Sequence, residues 1–414
     1  MACYCHGAAS AMFLARRILF VTESFGIGGT ETHLLELLPS LKAKGFDIAA
    51  FCLTELGKGA GPLQSAGILV TPAPRIGTTG KRSLLTPFRV VGGAATLLGL
   101  IRRWKPSVVH FFLPGPYLVG APVAIVAGVP IKIMSRRSLA DYQEKWPGAA
   151  RVERLLHRHM DLVLGNSRAV VSELVTKEGC PENRVRLIYN GVRLHTEDVT
   201  REEARAALGL EKQCFVVTVV ANLVPYKGHL GLIAALAGVS GQLPQGWTLL
   251  CAGRDDGSGP EIARAIQGTG LGQRIRLLGE RFDVPLLLKA SDLGVLAPTR
   301  NEGFSNAVLE FMASGLPVVV TDVGGNAEAV IDGETGIVVP PGDPAALGSA
   351  IVRLAYDPEL RRSMGEKAKK RAAHEFSCTK SLDVYCALYE ELLAQKEGRR
   401  GIGKAASGDG HRRA

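Results

Sequence analysis

The stretch Thr299-Arg-Asn-Glu-Gly-Phe-Ser-Asn-Ala-Val-Leu-Glu-Phe-Met-Ala-Ser-Gly-Leu-Pro-Val-Val-Val-Thr321 decides how the rest of the chain reads. Pro298 and Gly303 punctuate a turn. Ser305 then offers a hydroxyl to a free backbone N–H, the mark of a helix start. Val308, Leu309, Phe311 and Met312 recur at helical spacing, and Gly315 closes the helix. Pro317 opens the apolar run Val318-Val-Val320, a buried parallel strand, and Thr321-Asp-Val-Gly-Gly325 follows as a second loop. Glu302 therefore falls in a loop at a helix N-terminus, and Glu310 falls inside that helix. Free N–H groups and the positive end of the helix dipole favour an anion in the same space. Carboxylates accept hydrogen bonds from hydroxyls. The arrangement suits a ligand that carries both hydroxyls and phosphates.

Outward from this stretch, strands and helices alternate. Arg17-Ile-Leu-Phe-Val-Thr22 reads as a strand, Gly26-Ile-Gly-Gly29 as a tight turn, and Thr30 to Lys44 as a helix. Glycines there let backbone approach a ligand, although the spacing is not that of a dinucleotide fingerprint. Ile48–Leu53, Ile68–Val70, Ser107–Phe112 and Val129–Met134 are further strands. The last of these delivers Ser135-Arg136-Arg137-Ser138 to a strand end, where open α/β sheets bind ligands. Phe215-Val-Val-Thr-Val-Val-Ala-Asn-Leu-Val-Pro-Tyr-Lys-Gly228 is a β-branched strand that carries Asn222 and Lys227 to its carboxyl end. Asp292–Pro298 leads into the opening stretch. The pattern predicts parallel sheets covered by helices in both halves.

Glu302-Gly-Phe-Ser-Asn-Ala-Val-Leu-Glu310, with Gly-Leu-Pro-Val-Val and Gly-Gly-Asn-Ala-Glu after it, resembles the E-x7-E segment of retaining glycosyltransferases of family 4. Pro225-Tyr-Lys-Gly228 and the Asn190-Gly-Val192 turn are similar to further segments of that family, with Arg193 where an acid is usual. The resemblance implies a GT-B fold: two Rossmann-like α/β domains whose parallel sheets face an interdomain cleft. It implies an N-terminal extension at 1–15, an acceptor domain at 16–195 and a nucleotide-sugar donor domain at 196–378. A helix at 379–395 would cross back to the first domain, before a basic, disordered tail at 396–414.

The resemblance also implies roles. Glu302 would meet the donor sugar and Glu310 the ribose hydroxyls. Lys227 would stabilise the diphosphate leaving group, and Gly28, Gly29, Asn222, Arg281, Gly303, Phe304, Ser305 and Asn306 would complete the donor site. Asn222 stands where relatives often carry arginine, so it adds a hydrogen bond but no charge. Relatives also have an N-domain histidine; here His110 and Arg136 are the candidates for acceptor or phosphate contact. No cofactor and no metal are expected, since no Asp-x-Asp is present. The implied reaction moves a hexose from a nucleotide-diphosphate sugar, UDP rather than GDP, to a glycan or lipid-linked acceptor in polysaccharide or glycolipid synthesis.

Composition is consistent with this reading. The chain has 414 residues, more than one typical core. Net charge is +10, which suits an anionic partner, and the basic stretch Arg151–His159 faces an anionic membrane or a charged acceptor, or is only solvated. Eight cysteines without a Cys-x-x-Cys pair indicate buried thiols in a reducing compartment. No apolar run reaches spanning length and the N-terminus lacks a signal-peptide pattern, so a cytoplasmic protein is expected, peripheral at most on the inner face of the plasma membrane. A sugar-nucleotide epimerase of the same shape is the alternative enzyme. A polyanion-binding protein is the alternative non-enzyme, and the dispersal of basic residues outside the tail speaks against it, as against specific nucleic-acid binding.

Overall fold

The computed structural model describes residues 15–26, 28–74, 87–145, 147–194 and 199–408. The extension before residue 15, with Cys3 and Cys5, lies outside them. Seven strands form the first sheet: β1 (Arg17–Thr22), β2 (Asp47–Cys52), β3 (Leu69–Pro72), β4 (Val108–Phe112), β5 (Ile131–Arg136), β6 (Leu162–Gly165) and β7 (Val185–Leu187). Six form the second: β8 (Val216–Val220), β9 (Thr248–Ala252), β10 (Ile275–Gly279), β11 (Leu293–Leu296), β12 (Val318–Thr321) and β13 (Gly336–Val339). Their orders are β3-β2-β1-β4-β5-β6-β7 and β10-β9-β8-β11-β12-β13. Pairing is parallel across both sheets. In each, strand order reverses between the first strand and its neighbour (β1/β4 and β8/β11), and a crevice opens there at the carboxyl ends.

The apolar strands explain the layering. Runs such as Val216-Val-Thr-Val-Val220 are buried on both faces and need helices above and below. Helix Gly29–Ala43 buries Leu34, Leu37, Leu38 and Leu41 against Ile18 and Phe20 of β1. Helix Pro87–Trp104 covers the other face through Leu97, Leu100 and Ile101. In the second half, Leu232 and Leu236 pack with Ile351 and Leu354 on one face, and Leu309, Phe311 and Met312 pack on the other.

The chain leaves the first half at Val192 and returns beside it. Val192 N donates to Phe376 O (2.7 Å) and Cys378 N to Val192 O (3.1 Å). Helix Cys378–Gly408 then buries Tyr385, Leu388, Tyr389, Leu392 and Leu393 in the core of β1. The sequence ended this helix at 395 and read disorder from 396; it continues to Gly408. Lys396-Glu-Gly-Arg-Arg and Lys404-Ala-Ala, read as a charged tail, are mostly good helix formers extending a helix already nucleated by packing. Residues 409–414 lie outside the described set.

Tyr389 is fully buried and its hydroxyl bonds His110 Nδ1 (2.8 Å). Tyr389→Ala is expected to cost about 3–5 kcal/mol, as large-to-small aromatic truncations in cores do, measured by urea unfolding.

Candidate active site

The carboxyl ends of both sheets border one cleft of about 820 Å³. The loop after β1 brings Gly28 and Gly29, the loop after β8 brings Asn222 and Lys227, and the loop after β10 brings Arg281. The loop after β11 brings Glu302, Phe304, Ser305 and Asn306, and helix Asn306–Ala313 brings Glu310. Gly303 is not among the cleft-lining residues but lies at the seam.

Lys227 and Glu302 meet. Lys227 Nζ donates to Glu302 Oε2 at 2.6 Å, with side chains 19% and 9% exposed. Burial pulls the Lys227 ammonium down, but Glu302 and Tyr226 outweigh it and hold it above its usual value, so it is a cation. Gly228 makes the turn after it, at φ 77° with a side chain excluded, since a Cβ would lie 1.7 Å from Ala297 O.

Ser305 caps helix Asn306–Ala313, accepting from Val308 N at 3.4 Å. Phe304, Ser305 and Asn306, whose N–H groups precede the helical ladder, all line the cleft. This loop is held from the other half. Asn190 Nδ2 donates to Phe304 O (2.8 Å) and Asn306 Oδ1 (2.6 Å), and Asn306 Nδ2 donates to Gly29 O (2.8 Å). At Gly303 a Cβ would sit 2.2 Å from Arg137 O, so only glycine lets the two backbones touch. Farther along the seam, Glu328 accepts from Arg168 N (2.8 Å) and Ala169 N (3.0 Å) at the start of helix Arg168–Thr176 and from the Tyr189 hydroxyl (2.9 Å).

Asn222 is engaged: its Nδ2 donates to Asp256 Oδ2 (3.0 Å) and its Oδ1 accepts from Arg254 N (3.3 Å). Arg254, which the sequence analysis does not single out, lines the cleft and grips Asp256 with Nε (2.7 Å) and Nη2 (3.0 Å). It places a guanidinium beside the uncharged Asn222. An arginine directly after Gly253, at the end of the strand next to β8, was the available signal. Arg281 pairs with Asp283 (2.8 and 2.5 Å) at the outer rim, next to the exposed Phe282. Lys58 Nζ, from the first half, lies 5.4 Å from the Phe282 ring centroid.

Two candidates fall elsewhere. Arg136 is only 2% exposed and points away from the cleft, pairing with Glu153 (3.2 Å) and Glu178 (3.0 Å). It belongs to β5, which runs two residues further than the sequence reading had it. Alternation along a strand sends Arg136 to the helix layer and leaves Arg137 at the cleft. His110 is fully buried in β4, between Tyr389 Oη and Ser135 Oγ (2.7 Å), and burial with the nearby Arg137 pushes its pKa down to about 3. It is a neutral core residue. Of the two adjacent arginines it is Arg137 that lines the cleft, 5.9 Å from the Phe112 ring. Burial lowers its pKa, while Tyr385 and Glu31 draw it back up. Burial raises Glu31 in turn.

Among the described residues no group of three His, Cys, Asp or Glu side chains comes together to hold a metal ion, and no helix is long and apolar enough to cross a membrane.

Glycosyl transferases group 1 is the family model matched by residues 200–371, and Glycosyltransferase Family 4 that matched by residues 27–196. The D-inositol 3-phosphate glycosyltransferase of Corynebacterium jeikeium is 27% identical over 88% of this chain and 92% of that protein. The alpha-D-kanosaminyltransferase of Streptomyces kanamyceticus is 30% identical over 67% of this chain and 73% of its own. Anabaena HepE in complex with UDP-glucose superposes with a TM-score of 0.78 at 23% identity, covering 92% of this chain and 99% of that chain.

Two tests follow from the geometry. Arg136→Met leaves Glu178 and Glu153 facing each other in the interior and is expected to cost about 3–5 kcal/mol. Arg137→Met breaks no ion pair among the described residues and should stay within about 1 kcal/mol of the parent in thermal unfolding. Burial, then Glu36, raises the Glu310 carboxyl from 4.5 to about 7. The folded state thus holds this proton more tightly than the unfolded one. Its stabilising contribution is complete below pH 4.5 and is lost as pH climbs to about 7. Glu310→Gln should match the parent near pH 4.5 and exceed it at pH 8, by up to about 1.4 kcal/mol per pH unit crossed. Parallel melting curves at the two pH values check this.

Proposed function

This chain belongs to the glycosyl transferases group 1 and is a hexosyltransferase, and on that premise we propose that it is a retaining enzyme using a UDP-sugar donor without a metal. One observation carries the reading. A half-buried cation–carboxylate pair, Lys227–Glu302, stands at a helix N-terminus with a second carboxylate, Glu310, within one cleft. Lys227, Arg254 and the first-turn amides are suited to a diphosphate. Glu310 is suited to a ribose diol and Glu302 to the hydroxyls of the sugar. As the donor enters, its phosphates take over Lys227 and its sugar takes over Glu302.

In the proposed step the bond from the anomeric carbon to the β-phosphate oxygen breaks as the acceptor hydroxyl bonds to the same face of that carbon. The hydroxyl proton passes to the departing phosphate oxygen. Charge growing on that oxygen is met by Lys227 and the helix N-terminus. UDP is favoured over GDP because HepE, of the same fold, was crystallised with UDP and with UDP-glucose. Arg137 and Lys58, on the first half of the cleft, favour an anionic glycan or lipid-linked acceptor of surface polysaccharide or glycolipid synthesis. Helix Pro147–His157 exposes Val152 and Leu155 among Arg151 and Arg154, a face suited to the inner surface of an anionic membrane.

Thermal unfolding with UDP, GDP, UDP-glucose, UDP-galactose, UDP-N-acetylglucosamine and GDP-mannose tests the donor. A bound nucleotide at 100 times its Kd should stabilise by about 2.7 kcal/mol. UDP compounds should shift the parent and fail to shift Glu310→Ala; a GDP-only shift reverses the donor choice. Glu302→Gln and Lys227→Ala are each expected to slow transfer at least about tenfold without unfolding the protein. Parental rates in either folded variant remove that residue from the site.

A further inference from the structure

A second concave site lies at the opposite end of the first sheet. The donor cleft takes its first-half residues from the carboxyl ends of the strands, such as Asn166 after β6 and Asn190 after β7. A cavity of about 560 Å³ instead opens at the amino ends of the same two strands, against the last helix. At about 3.3 Å per residue, the four residues of β6 alone separate the two by on the order of 13 Å.

The charge in this cavity is one-sided. Its acids are Asp161 and Glu391. Asp161 is taken by Lys396 Nζ (2.7 Å), by Lys132 Nζ (3.7 Å) and by the Lys132 N–H (2.9 Å). Glu391 accepts from Gln395 Nε2 (2.9 Å). Arg158, Arg184 and Arg186 also line it, and none of the three has a carboxylate within ion-pair distance among the described residues. Arg184 and Arg186 are held by backbone instead: Arg184 Nη1 donates to Arg158 O (3.0 Å), and Arg186 Nη1 to Asn183 O (3.3 Å) and Val185 O (3.2 Å). Carbonyls fix the position of a guanidinium without cancelling its charge. All three guanidiniums are exposed, so water and salt screen their mutual repulsion, but they border one hollow, and guanidinium geometry fits phosphate oxygens two at a time.

We propose that this cavity is a second anion site, built for a phosphomonoester or diphosphate group and separate from the donor cleft. The phosphate has two sources, an anionic lipid headgroup or a free phosphate compound. The site stands on its own geometry and does not depend on the transferase reading.

The probe is inorganic pyrophosphate, titrated calorimetrically into the full chain carrying Lys227→Ala, which weakens the donor cleft as a competitor; binding is assigned to the second cavity by its loss in the variants below. One equivalent should bind with a Kd of about 1 mM or tighter. Arg184→Gln should weaken it by about tenfold or more, as expected for loss of one charged phosphate contact. Arg158→Gln should do the same. Its side chain makes no ion pair among the described residues, so it keeps the test available if Arg184→Gln fails to fold. In a second arm the chain is floated with phosphatidic acid vesicles in phosphatidylcholine. Flotation that both variants weaken and pyrophosphate displaces assigns a headgroup; pyrophosphate binding without flotation assigns a free phosphate. No pyrophosphate binding, or binding that ignores both substitutions in folded protein, overturns the proposal.

Discussion

The contact between Lys227 and Glu302 organises the cleft. Neither charge is well solvated, and each would be costly there alone. Their loops follow β8 and β11, strands that are neighbours in the sheet although distant in sequence. Strand order reverses between these two, so the loops diverge and leave a crevice, across which Lys227 and Glu302 still meet. The ion pair is therefore a product of topology. A different strand order would leave a buried lysine and a buried glutamate each without its partner.

The loop that carries Glu302 is not supported by its own domain alone. Asn190 and Gly29, from the first half, hold Phe304 and Asn306 through side-chain and backbone bonds, and Gly303 touches the Arg137 carbonyl. Position of the acid and spacing of the two halves are thus one variable. Glu328 adds to this, placing a carboxylate on the N-terminus of helix Arg168–Thr176, where the dipole favours it.

Much of this was legible because it is local. The cap at Ser305, the helix after it and the glycine turn after Lys227 are written in neighbouring residues, and β-branched runs announced the parallel strands. What failed to read was set by distance or by a single step of register. Arg136 and Arg137 are adjacent and chemically identical; which of them faces the cleft depends on where β5 ends. His110 looked available at a strand end, and only the return of the last helix, with Tyr389, shows it enclosed. Arg254 acquires meaning from Asn222 and Asp256 around it, an assembly no short motif encodes. The end of the last helix was missed because charge and glycine content were weighed above propensity in a helix anchored elsewhere.

The bond between His110 and Tyr389 spans 279 residues of sequence. During synthesis at about 5–20 residues per second, His110 would wait roughly 14–56 s for the helix that completes its core. The second half is continuous in the chain and meets no such delay. The ribosome thus delivers the later domain ready to fold first, while the earlier one remains with an open hydrophobic groove. Exposure to chaperones and proteases should be concentrated in that interval, on the half of the molecule nearest its amino terminus.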